Sequence, residues 1–113
     1  MAPDPYRELW WGQRDIDIYE RRHYRHYLDF DGVDVSDRTY EASIRDVRGG
    51  TVAIAEFAVD MTAAAEGTVL LELTEDDTAG MPAFAVWDVV ETIDGVRTPL
   101  LSGSVVVTGW VTP

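Results

Sequence analysis

The sequence predicts an all-β sandwich: two layers of extended chain joined by tight turns. Runs of about six to ten residues rich in Val, Ile, Thr and aromatics recur along the chain, divided by Gly and Asp turn residues. Within most runs apolar and polar residues alternate, the period of a half-buried strand, and helical spacing is scarce. Cysteine is absent, so packing and hydrogen bonds must hold the fold without disulfides.

Each element follows from its own pattern. In "TYEASIRDV", Tyr40, Ala42 and Ile44 alternate with Glu41, Ser43 and Arg45, giving one apolar face and one solvated face. "TVAIAEFAVD" reads as a single strand with Ala53, Ala55, Phe57 and Val59 on one face, and the Gly49-Gly50 pair before it reads as a tight hairpin turn. "TVLLELT" sets Val69, Leu71 and Leu73 against Thr68, Glu72 and Thr74. In "TEDDTAGMP", Thr74 stands three residues before Asp77, the spacing of a capping box, and Gly80 and Pro82 stop the chain after one helical turn.

"AFAVWDVVET" is apolar on both faces from Phe84 to Val90, which predicts a central strand covered on both sides. Asp94-Gly95 supplies the positive backbone dihedrals of a two-residue type I′ turn, and "VRTPLLSGSVVVT" runs back to Thr108. Pro99 cannot donate to a ladder, so the start of this last strand belongs on an edge or at a bulge. The whole reads as an immunoglobulin-like antiparallel β-sandwich of about seven strands with one short helical turn.

The unusual stretch is "YERRHYRHYLDF", residues 19–30, which holds both histidines and three of the nine basic residues. On a strand, Tyr24, His26, Leu28 and Phe30 line one face and His23, Arg25, Tyr27 and Asp29 the other, so the histidines point to opposite sides. A helical register through Ile16, Tyr19, His23, Tyr27 and Phe30 is the rival reading. The strand is favoured by aromatic content and context.

A chain of 113 residues fits one domain, which should bury about two-thirds of its unfolded surface. Residues 1–13 read as an N-terminal arm and 14–113 as the sandwich. No run approaches the roughly 18 apolar residues of a membrane span, and the start lacks the pattern of a secretory leader. The net charge of -12 is uneven: residues 1–48 carry eight Arg against eleven acids, and residues 49–113 only Arg97 against ten. Nucleic acid is an unfavourable partner for such a surface.

Catalytic and metal chemistry find little purchase. Strand geometry keeps His23 and His26 from converging on one ion, and neither a third histidine nor a cysteine is present. Asp29, Asp31, Asp34 and Asp37 surround Gly32, but the order departs from a calcium-binding EF-hand loop and suits ordinary turn chemistry. The serines sit in no nucleophile elbow, acid pairs are too numerous to be diagnostic, and phosphate-loop and dinucleotide signatures are absent. No enzyme activity and no cofactor are expected. Trp87, between apolar neighbours, reads as core. Trp10, Trp11 and Trp110, together with Arg21, Arg22 and Arg25, are the candidate interface residues, since Trp and Arg are favoured anchors.

The order of these elements resembles the small β-sandwich modules of tail-fibre, baseplate and minor tail proteins of tailed bacteriophages, especially those of actinobacterial hosts. The matching pieces are Asp34–Asp37, Ala42–Arg45, Gly67–Thr74, Thr74–Gly80, Trp87–Val90 and Leu101–Val107, within a resemblance spanning about residues 14 to 108. The chain departs from that pattern before the second strand, where "ERRHYRH" replaces a Gly-Asp or Asp-Asp turn. The resemblance implies a non-enzymatic virion component present in several copies, assembled in a bacterial cytoplasm and docked on other tail proteins. The alternatives are a module reading host glycans through Trp10, Trp11 or Trp110, and a capsid decoration protein.

Overall fold

A computed structural model describes residues 12–46 and 53–109. The described residues form eight strands: β1 (Ile16–Tyr19), β2 (Tyr24–Asp29), β3 (Thr39–Arg45), β4 (Ala53–Glu56), β5 (Ala58–Asp60), β6 (Thr68–Leu73), β7 (Phe84–Ile93) and β8 (Val96–Thr108). Between them lie a 3-10 turn at Ala64–Glu66 and a helical turn, α1, at Glu75–Thr78. The strands make a five-stranded sheet, β1-β8-β7-β3-β4, and a three-stranded sheet, β2-β6-β5. Each strand order is that of an immunoglobulin-like sandwich.

The two layers close over a core containing Trp87, Phe30, Ile18, Leu28, Ile44 and Leu71, all essentially inaccessible. Alternation fixes which residues face it: Tyr40, Ala42 and Ile44 of β3 and Val69, Leu71 and Leu73 of β6 are buried, as their spacing predicts. The β7–β8 hairpin turns at Asp94 (φ 50°) and Gly95 (φ 81°), the left-handed pair required by its two-residue loop. Pro99 sits where the β7–β8 register slips, and β1 covers β8 only from Val105 onward, so its missing amide interrupts no second ladder. Thr74 caps α1: its hydroxyl accepts from the Asp77 amide at 3.2 Å, and the Asp77 carboxylate accepts from the Thr74 amide at 2.8 Å.

The structure corrects the sequence reading in several places. "TVAIAEFAVD" is two strands, because the chain leaves the five-stranded sheet after Glu56 and joins the three-stranded sheet at Ala58. Phe57, buried between the layers, is the pivot, and its amide donates to the Ala42 carbonyl at 2.9 Å. The sandwich is not wholly antiparallel: β1 runs parallel to β8, Ile16 opposite Val105 through Tyr19 opposite Thr108. β7 is central but covered on one side only, with Ala85, Trp87 and Val89 inside while Phe84 is 72% exposed. An antiparallel sheet packed against one partner layer leaves its other face to solvent. The Gly49-Gly50 turn lies outside the described residues.

Gly103 is where β1's approach is set. A Cβ there would collide with the backbone of Arg14, whose carbonyl accepts the Trp87 indole N–H at 2.7 Å. Only glycine permits this docking of the incoming chain against β8 and the core tryptophan.

Candidate functional site

β2 resolves the two histidines as its alternation predicts. His26 points inward, its ring 5.2 Å from Trp87 in an edge-on contact, and Tyr24 lies within 3.2 Å of its Nδ1 through the hydroxyl. Burial, then the Arg14 charge, lowers the His26 pKa from its usual value. Burial, then Asp17, raises the Tyr24 phenol to about 12. His23 points outward, with Nε2 at 2.7 Å from a Glu72 carboxylate oxygen that also accepts from Arg25 Nε at 3.2 Å. The hydrogen bond from His23, then that from Arg25, lowers the Glu72 pKa. The rival helical register is excluded by this pairing of β2 with β6.

The described candidate residues occupy one end of the sandwich. Arg21, at a left-handed φ of 64°, lies in the β1–β2 turn with Nε 3.9 Å from Glu20. Arg22 follows it, and its carbonyl accepts from the Thr78 hydroxyl at 2.9 Å, tying the turn to α1. Arg25 stands on the solvent face of β2, its side chain 58% exposed. Trp10, Trp11 and Trp110 lie outside the described residues. Trp87, at 2% exposure, is core.

The aspartates around Gly32 serve the loop that carries them. Asp29 accepts from the Asp31 amide at 2.8 Å, and Asp34 accepts from both the amide and the hydroxyl of Ser36, at 2.9 and 2.6 Å. The Ser36 bonds lower the Asp34 pKa. Among the described residues no group of three His, Asp or Glu side chains is placed to hold a metal ion.

Two features were missed in the sequence. Phe84 faces Val106 across the β7–β8 ladder, and Tyr19 lies at the end of the neighbouring β1; they are 72%, 40% and 57% exposed. They put apolar surface on the solvent side of the five-stranded sheet. The second is polar and internal: Glu91 is 2% exposed, accepts from the Tyr40 hydroxyl at 2.8 Å and lies 3.7 Å from Arg38 Nη1. Parity could have revealed it, because Glu91 continues the inward series Ala85, Trp87, Val89. This cluster braces β3 to β7, with Tyr40 directly opposite Glu91 in the ladder.

Comparison with known protein families and with curated proteins finds no match.

Proposed function

We propose that the chain is a non-enzymatic building block of a tailed-phage virion, a minor tail or tail-tip component that works through subunit contacts. The observation that carries this reading is the exposed apolar patch of Phe84, Val106 and Tyr19 on the solvent face of the five-stranded sheet. At roughly 150–250 Å² per aromatic side chain, the patch offers on the order of 300 Å². That is enough for the dry centre of a standard interface, which takes about 800 Å² per partner. The resemblance in strand and turn order supplies the class of partner, other tail proteins.

The test is mixing. The purified chain should co-elute with one or more purified tail proteins, and Phe84→Glu should abolish the complex while leaving the circular dichroism spectrum unchanged. A well-folded chain that binds none of them overturns the proposal. Labelling of intact particles then separates tail from head, and a signal on the head would replace the tail role with capsid decoration.

A further inference from the structure

We infer that two copies of this chain pair through the open edge of β2, forming a continuous six-stranded sheet across a two-fold axis at Tyr27. The inference extends the building-block reading to a specific joint, but it rests on β2 alone. Phe30 donates its amide to the Gly67 carbonyl on the β6 side. Backbone groups alternate along a strand, so Leu28, His26 and Tyr24 also face β6, while Arg25, Tyr27 and Asp29 turn their N–H and C=O groups to the edge. β2 ends its sheet, so among the described strands none pairs with that edge.

Natural edges are blunted by shortness, bulges, proline or inward charge. The other outer strands are shorter: β1 and β4 have four residues each and β5 three, and β4 meets β3 through a register shift. β2 has six residues, YRHYLD, no proline, no glycine and an unbroken register with β6. Its outward side chains are exposed, Tyr27 at 61%.

The side chains select the partner. In an antiparallel pair centred on Tyr27, Arg25 of each copy stands opposite Asp29 of the other, and the two Tyr27 rings lie side by side. Directly opposite residues with exchanged hydrogen bonds have Cα atoms about 5.5 Å apart, where opposite charges stabilise a sheet and like charges destabilise it. Beyond the strand, the Arg21–Arg22 turn of one copy lies toward Asp31 and Asp34 of the other. The edge is therefore self-complementary, as an isologous interface requires. The net charge of -12 on each copy opposes association. At physiological salt the screening length of about 8 Å weakens that long-range repulsion far more than it weakens the close pairs.

Sedimentation velocity on the full chain tests the joint. Wild type should show a dimer at about 100 µM chain. Tyr27→Pro removes an edge amide that β6 does not use, so it should be monomeric with an unchanged circular dichroism spectrum. Arg25→Asp and Asp29→Arg should each be monomeric, and an equimolar mixture of the two should recover a heterodimer, because both cross-strand pairs are then complementary again. A wild type that stays monomeric, a Tyr27→Pro variant as dimeric as wild type, or a mixture that stays monomeric would overturn the inference. Phe84→Glu should leave this dimer intact, so loss of the tail-protein complex and loss of the joint are read separately.

Discussion

Tyr40→Phe isolates the buried bond between the sheet strands β3 and β7. The substitution keeps ring volume and removes only the hydroxyl that donates to Glu91 at 2.8 Å. No cavity opens, so the change measures the bond and the state in which Glu91 is left. Hydrogen bonds to charged groups contribute about 1.5–3 kcal/mol, and a buried acceptor that loses a donor costs at the upper part of that range. Glu91 is 2% exposed, so water cannot replace the hydroxyl. Arg38 at 3.7 Å still offsets part of the loss. The expected destabilisation is about 2 kcal/mol, or about 8 °C in melting temperature for a domain of this size. Thermal unfolding by circular dichroism and urea titration should agree. A double-mutant cycle with Glu91→Leu should show a coupling of at least about 1 kcal/mol, since removing both ends leaves no orphaned acceptor facing the tyrosine. A Tyr40→Phe variant within about 0.5 kcal/mol of wild type would refute the reasoning.

Two further outcomes follow from the fold. Gly103→Ala forces a methyl group against the Arg14 backbone and breaks the Trp87–Arg14 bond; the expected loss is about 2–4 kcal/mol, read as a lowered urea midpoint, and an unchanged midpoint would contradict the close approach. His26 titrates below its usual 6.5 in the folded chain, so the unfolded chain takes up the proton first as pH falls; stability is full above 6.5 and declines from there toward the folded pKa. Melting temperatures between about pH 5 and 7 should therefore drop in wild type and stay flatter in His26→Phe, whereas the lowered carboxylates Asp34, Asp60 and Glu72 act only at lower pH.

Local alternation was enough to place the inward faces of β2, β3 and β6, the capping box at Thr74 and the turn at Asp94-Gly95, because each depends on near neighbours in sequence. The crossover at Phe57 left no trace, since a strand that changes sheets keeps its side-chain period, with Ala55, Phe57 and Val59 all packed toward the core. The exposed face of β7 was hidden for a related reason. Val86 and Val90 are apolar on a half-covered face, and composition alone does not distinguish that from full coverage. The parallel partner of β1 depends on long-range topology, with Ile16 and Val105 some ninety positions apart. For the candidate site, Arg21, Arg22 and Arg25 were legible as a basic cluster, but the edge position that makes Arg25 and Asp29 useful together required the sheet order.

The parallel seam between β1 and β8 also sets how the module bears tension. The chain enters along β1 and leaves along β8, so opposed pulls on its two ends drag these strands lengthwise past each other. The bonds of Arg14 and Glu20 with Ser102 and Thr108, and the ladder between them, are then strained together and not peeled one at a time. Resistance to such a pull is governed by the rate of rupture and not by equilibrium stability. A module wired this way resists a lengthwise pull as one unit while keeping its layers closed.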